Sequence, residues 1–410
     1  MAERRVVVTG MAGITSLGDS YEAIEKNMRE GRSGIRRMPG WDKYPELNTK
    51  LCGPVSYFET PKHYSRKDTR TMSRVAIMAT RASELALIDA GLRDDPEIKT
   101  GAMGVSYGSC MGGIEALNEF ASMLGLGTSD QLNATTYVRF MTHTAAVNIG
   151  IYFGLKGRVI PTASACTSGS QGVGYAYEAI KSGRQTMMIA GGAEEECAPA
   201  AAVFDTLFAT SQKNDAPETT PRPFDKDRDG LVIGEGASSL ILEEYEHAKA
   251  RGAKIHCEIV AFGTNSDGKH ATQPDSQMMQ VAMELALKEA GLAPGAIGYV
   301  SAHGTATDTG DVAESQATHR LFGNRMPISS MKSYFGHTLG ACGAIESWLA
   351  IEMMKRGWYA PTLNLKNVDE RCGDLAYIRD GGVTLDCEYV MNNNFAFGGI
   401  NTSLIFRRID

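Results

Sequence analysis

Residues 84–92 read ELALIDAGL and residues 284–292 read ELALKEAGL. Each closes an apolar pattern of helical period, over Val75–Leu92 and Gln277–Leu292, and each ends at a glycine, the residue that tolerates the left-handed cap of a helix. A strand-like run follows each of them, GAMGVSYGS at 101–109 and IGYVSAHGT at 297–305. A nonapeptide can recur by chance, but the nonapeptide, its capping glycine and the next element recur together less readily. The offset is far longer than a solenoid repeat, so the pattern predicts two related halves within one α/β chain.

The intervening segments fit alternating strands and helices. MMIAGGAEE (187–195) reads as a buried strand ending in a glycine turn, ASSLILEEYE (237–246) and IHCEIVAFG (255–263) carry strand-like stretches, and TSLIFRRI near the end reads as a central strand of the second half. Residues 213–230, with three prolines and many charges, read as loop. PFDKDRDG within it resembles part of a calcium loop, but the glutamate and flanking helices of an EF-hand are not in place. With 410 residues the chain suffices for two domains or one duplicated unit, and its charge of −7 lacks the basic footprint of a nucleic-acid binder. No secretory signal and no bilayer-length apolar run is found, and none of the eight cysteines forms a CxxC pair. The expectation is a cytoplasmic protein with free thiols and no metal site.

Cys166 lies in TASACTSGSQG (162–172), where almost every neighbour is small. It reads either as a small residue at a close packing contact or as a nucleophile on a strand-to-helix turn. Val173, Tyr177 and Ile180 have helical spacing, which sets the thiol at or just before a helix N-terminus. There the helix dipole and free N–H groups are expected to lower its pKa and to hold an oxyanion. Of eight histidines, His247, in the charged run EEYEHAKARG, and His319 read as surface residues, and His63, His143, His256 and His270 offer no interpretable partner or motif. His303, in SAHGTATDTGD, and His337, in SMKSYFGHTLGACGAIE, stand in glycine-rich turns. Either alone reads more readily as structural.

Together, SACTSG, AHGTATDTGD, KSYFGHTLGACGAIE and NNNFAFGGINTSL resemble, in that order, the β-ketoacyl-acyl-carrier-protein synthases of the thiolase superfamily, along essentially the whole chain. The resemblance implies a thiolase-like α/β fold, two duplicated halves in five α-β-α-β-α layers, divided here at 1–252 and 253–410. It implies an acyltransferase that loads an acyl chain on Cys166 and condenses it with malonyl-carrier, lengthening the chain by two carbons. His303 and His337 match the pair that meets the charge of decarboxylation, Lys332 the lysine beside them, and Glu346 a supporting acid. The backbone N–H groups of Cys166 and Phe397 match the oxyanion hole, and Phe397 the gate. Thr305 and Thr307 match the pantetheine-binding positions, Met111 the floor of the acyl pocket, and Lys67 and Arg70 the carrier-docking face.

It further implies no cofactor of its own, substrates held on the phosphopantetheine of an acyl carrier protein, and a homodimer joined near residues 155–165 or a heterodimer with a related subunit. The segments around RRMPGWDKYPEL and HYSRKDTRTMSR are similar to ketosynthases of aryl-polyene clusters rather than of primary fatty-acid synthesis. Three departures stand out. Ala396 replaces a glycine before the gating phenylalanine and is expected to stiffen the gate, since alanine takes φ > 0 only at a cost. Asp308 stands where proline is common, and Phe208 occupies one of the usual basic docking positions. Three rivals are a chain-length subunit, a coenzyme A thiolase and a chain-initiating synthase, the last of which would carry asparagine where His337 stands. The first would lack the nucleophile, and the second would carry a late cysteine near the position of Asn394.

Overall fold

The computed structural model describes residues 4–409. The first half supplies β1 (Val6–Thr15), β2 (Met103–Gly108), β3 (Val159–Thr162), β4 (Met187–Glu194) and β5 (Gly236–Glu244). The second supplies β6 (Cys257–Ser266), β7 (Ile297–Ser301), β8 (Pro327–Ser329), β9 (Tyr389–Ala396) and β10 (Ile400–Arg407). Counted outward from the middle, the spatial orders are β1-β5-β4-β2-β3 and β6-β10-β9-β7-β8, the same order twice. The ladders agree too: antiparallel for the inner two pairings and parallel for the outer two. Three residue pairs, Val6–Val8 against Ile259–Cys257, join the halves, and a short strand Ala376–Tyr377 lies beyond β8.

The repeated nonapeptides end equivalent helices, α1 (Arg74–Asp89) and, further along, Ser276–Ala290, and the glycines just past them take φ of +70° and +67°. After α1 come α2 (Thr144–Phe153), α3 (Ser168–Lys181) and α4 (Ala198–Asp205), then α5 (Ser276–Ala290), α6 (Asp308–Phe322) and α7 (Cys342–Arg356). Helices α1 and α2 cover the outer face of the first sheet, α5 the outer face of the second with α6 packed on it, and α3 and α7 fill the space between. Those are the five expected layers, with separate apolar clusters on the two outer faces and a larger one in the middle.

The middle layer explains why its sequences look the way they do. A helix between two sheets is buried all round and loses the polar stripe of a surface helix; α7 is buried continuously from Cys342 to Ile351. Glycines are poor helix formers, yet α3 carries three in its first two turns because close approach overrides propensity. A Cβ on Gly169 would lie 2.8 Å from the Gly340 carbonyl oxygen, and one on Gly172 would lie 2.5 Å from that of Gly191. Central strand β10 and the loop at 213–230 follow the expectation, the loop holding only a short turn at Pro217–Thr219.

Candidate active site

Cys166 sits two residues before α3, on a turn whose preceding residue, Ala165, has φ +50°. A non-glycine residue in the left-handed region is uncommon and marks a turn held by its surroundings. The Ala165 carbonyl accepts hydrogen bonds from the Ser168 N–H (3.0 Å), the Ser168 hydroxyl (2.7 Å) and the Cys110 thiol (3.0 Å). Small neighbours are therefore needed both for the turn and for packing against α7. The close-packing reading of the stretch holds, and the strand-to-helix turn of the other reading is present.

The turn faces a cavity of about 240 Å3 whose walls include Cys166, His303, His337, Thr305, Thr307 and Phe397. His337 Nε2 lies 3.0 Å from Cys166 Sγ. On its other side, the Leu339 N–H donates to His337 Nδ1 (3.2 Å), so the ring proton belongs on Nε2. His303 is arranged alike. Its Nδ1 faces the Lys332 ammonium at 3.2 Å and the Asn394 amide nitrogen at 3.4 Å, both donors, which again leaves the proton on Nε2. The two rings meet edge to face, centroids 5.2 Å apart. Burial, then the Lys332 charge, holds both imidazoles well below the ordinary histidine pKa, so both are neutral donors.

Lys332 is wholly buried and paired with Glu346, whose other oxygen accepts from Asn394 Nδ2 at 2.6 Å. Burial, the largest single effect, works against the ammonium, but the charge and hydrogen bond of Glu346 together with the charges of Cys342 and Glu314 outweigh it and raise the Lys332 pKa. Glu346 therefore stands behind the histidines on a buried face of α7, although a glutamate in a helix is more often solvated. Cys166 Sγ, His303 and His337 offer ligand atoms within 4.8 Å of one another, as do His303, Cys342 and Glu346. Neither trio fits a metal. A ligating histidine donates from its second nitrogen, whereas here both Nδ1 atoms accept, and in the second trio the ammonium already bridges His303 and Glu346.

Two sequence expectations are corrected. The Cys166 thiol is not lowered: burial pushes its pKa up to about 11, against the pull of Lys332 and of the N–H groups of Phe397 and Cys166 itself. A helix N-terminus cannot offset removal from water at full burial. Those N–H groups nevertheless face the sulfur, as an oxyanion hole requires. Nor does Ala396 stiffen the gate through its φ. It ends β9 paired with Ile400, while Gly398 and Gly399 carry the positive φ values, +87° and +71°. The Gly398 N–H donates to the Ala271 carbonyl (2.7 Å) and the Asp267 N–H to the Gly399 carbonyl (2.7 Å), so this turn is tied to the 267–274 loop.

Of the remaining expected residues, the Thr305 and Thr307 hydroxyls lie 2.9 Å apart on the cavity wall. Met111 and Phe397 pack on one apolar cluster that includes Trp41, Phe204 and Leu339. Lys67 and Arg70 are exposed on and beside the short turn Arg66–Thr69, apart from the residues lining the cavity. Sequence reasoning missed the supports. Glu314 accepts from the His303 and Gly304 N–H groups, both at 2.7 Å, and Asp311 from those of Ala306 (3.0 Å) and Phe224 (2.7 Å). Burial raises these carboxyls to about 8 and about 6. Glu194 accepts from the N–H groups of Cys110 (2.7 Å), Met111 (3.2 Å) and Gly340 (3.1 Å), tying the 109–112 turn to the turn below His337. His270, given no role from sequence, lines the cavity, and His256 is held by Asp89 (2.6 Å) and Lys355 (2.9 Å). The acids at 311 and 314 were visible at the start of a helix, where carboxylates suit the dipole; their burial was not.

Residues 3–248 match the family model described as β-ketoacyl synthase, N-terminal domain, and residues 256–366 the corresponding C-terminal domain. The chain is 38% identical over 416 residues to 3-oxoacyl-[acyl-carrier-protein] synthase 2 of Vibrio cholerae, covering 100% of both chains. It superposes on a β-ketoacyl synthase from Burkholderia phymatum with a TM-score of 0.98 at 60% identity, over 99% of this chain and 100% of that one. A ketosynthase bound to a hexaketide, in complex with its type II polyketide acyl-carrier protein, gives 0.87 at 29% identity, over 99% and 100%.

Proposed function

The chain belongs to the β-ketoacyl synthase family, and from that membership and the cavity chemistry we propose that it is an elongating β-ketoacyl-acyl-carrier-protein synthase. One observation carries the reading: two neutral imidazoles direct their Nε2–H groups into the cavity that holds the Cys166 thiol. Donors fixed in a dry site stabilise charge that develops on a thioester oxygen.

The cycle has two halves. Cys166 Sγ adds to the carbonyl of an acyl thioester on a carrier's phosphopantetheine, and the oxyanion is met by the N–H groups of Cys166 and Phe397. The pantetheine sulfur leaves and takes the proton, so the acyl chain stays on Sγ. The raised thiol pKa means that the proton departs as the S–C bond forms, not from a standing thiolate. Malonyl-carrier then binds with its thioester oxygen accepting from His303 and His337. The C–CO2 bond breaks, carbon dioxide leaves, and the electron pair forms an enolate whose carbon attacks the acyl carbonyl. Cys166 is released and regains a proton, and the product is a β-ketoacyl chain two carbons longer. Lys332 and Glu346 hold His303 in its donor tautomer.

The same reading divides the chain at 1–252, with the nucleophile, and 253–410, with the histidines, lysine and gate. Thr305 and Thr307 bind the pantetheine arm, Met111 closes the acyl pocket, and Lys67 and Arg70 meet the carrier. Two copies, or this chain and a related subunit, pair along the outer edge of β3, where Val159 is 48% exposed. Such an enzyme works in the cytoplasm, and no helix among the described residues is long and apolar enough to cross a membrane. An aryl-primed polyene chain is the substrate we favour among fatty-acid, polyene and polyketide chains. A coenzyme A thiolase is disfavoured, because Asn394 on Glu346 stands near the place of that branch's second cysteine.

Intact-protein mass after incubation with short saturated, long saturated and aryl-enoyl carrier proteins tests the assignment. An adduct of acyl mass is expected, largest with the aryl-enoyl donor. No adduct from any donor, with or without a related subunit, rules it out; a preference for saturated donors rules out only the polyene refinement.

A further inference from the structure

Helix α1 and the helix Ile114–Leu126 begin side by side, and neither is capped by the residue before it. Ser73, at the head of α1, makes no cap bond, and its buried hydroxyl has no hydrogen-bond partner among the described residues. Gly113, at the head of the second helix, has no side chain to offer. The contact leaves no room for one, since a Cβ there would lie 2.5 Å from that of Ser73. A single residue serves both helices. The Val75 N–H donates to one oxygen of Glu195 and the Ile114 N–H to the other, each at 2.7 Å. The positive ends of two helices thus converge on one buried carboxylate.

Glu194 holds the other end of the same turn through the N–H groups of Cys110 and Met111. Residues 110–114 are therefore gripped at both ends by adjacent acids. Cys110, Met111 and Ile114 pack with Phe397 on one apolar cluster. Where this turn sits decides how much space lies beyond the gate.

We propose that Glu195 is a positioning residue for chain-length selection, fixing the depth of the acyl pocket by holding the turn that carries Met111 and Ile114. This rests on the ketosynthase reading and on Met111 as the pocket floor. Burial, against the two N–H bonds, raises the Glu195 carboxyl to about 7, helped by the charges of Glu194 and Glu235. Around it also lie Glu196, the Cys197 thiol and Arg74, the last paired with Glu235 at 2.6 Å. Because each oxygen serves one helix, a proton on either leaves one helix unheld. The pocket floor should then yield to long chains at low pH and resist them at high pH.

The test is self-acylation of the full-length protein by hexanoyl and dodecanoyl thioesters of N-acetylcysteamine, which involve no carrier. Both donors load the same thiol, so its own ionisation cancels in the ratio of their rate constants. In the wild type the hexanoyl-to-dodecanoyl ratio should fall about fivefold from pH 8.5 to pH 6, a fraction of what one hydrogen bond to a charged group is worth. Glu195→Gln has one acceptor oxygen and no proton to lose, so it should show the low-pH ratio throughout. A wild-type ratio that is flat across this range overturns the proposal, whether or not the variant folds. So does a variant ratio that still titrates, or an equal loss with both donors, which would make Glu195 structural only. Wild-type protein that neither donor nor any acyl-carrier acylates removes the ketosynthase reading itself, a result distinct from these.

Discussion

The turn entering α3 and the turn entering α7 occupy equivalent places in the two halves, and they are built from opposite materials. Between β3 and α3 lie residues 163–167, none of them charged. Between β8 and α7 lie residues 330–341, which include the buried Lys332 and His337. The two turns touch: the Cys342 thiol donates to the Cys166 carbonyl (3.1 Å), and Gly169 packs on Gly340. Duplication supplied two helix N-termini facing one place. The short turn leaves space around Cys166, and the long one carries the lysine and a histidine. A second histidine, His303, comes from the end of β7 in the same half. Nucleophile and electrostatics are thereby separable by mutation.

Replacing the nucleophile should have the largest effect. Cys166→Ala removes one sulfur from a site already lined with small side chains, so acyl transfer should vanish. The melting temperature should stay within about 1–2 °C, the shift expected of about 1 kcal/mol in a chain of 410 residues. Intact mass and a thermal melt check both; an acylated Ala variant would break the assignment of the short turn. Next come the donors of the other half. His303→Ala or His337→Ala should lower malonyl decarboxylation by ~10²–10³-fold, the usual loss for one preorganised donor. Self-acylation, served by the N–H groups of Cys166 and Phe397, should fall much less. Equal losses in both steps would merge what the two turns keep apart.

The fold was legible because duplication leaves paired traces. ELALIDAGL and ELALKEAGL mark the same helix end twice, and the structure returns the same strand order twice. Cys166, His303, His337, Thr305, Thr307 and Phe397 were legible as a set, since glycine-rich motifs at strand ends survive as local sequence, and they line one cavity. What sequence could not give was the sign of the thiol's shift. A helix N-terminus is visible in a sequence, but complete burial is a property of the whole packing, and burial won. Asp311, Glu314 and Glu194 were missed for a related reason. Each acts on a backbone N–H or a side chain brought near by folding, and an acid in a helix looks the same whether solvated or buried.

Those buried acids give the smallest effect and the sharpest check on the charged half. Asp311 and Glu314 hold the 303–307 turn, and burial raises their carboxyls to about 6 and about 8. Because the folded pKa lies above the unfolded one, each contribution is complete below the ordinary carboxylate range and is lost as pH rises through the folded value. Stability should therefore decline from just above the ordinary carboxylate range, the loss owed to Asp311 levelling off near pH 6 and that owed to Glu314 near pH 8. The imidazoles act oppositely: held well below their usual pKa, they stay neutral and impose no loss of donors between pH 6.5 and pH 8. Melting curves from pH 5 to pH 9 should show the decline, and Glu314→Gln, which has no proton to lose, should flatten its upper part. If the variant keeps the wild-type slope through pH 8, Glu314 ionises elsewhere than the structure requires. In that case the turn carrying His303 is held by hydrogen bonds indifferent to charge, and the contrast between the two turns rests on Lys332 and Glu346 alone.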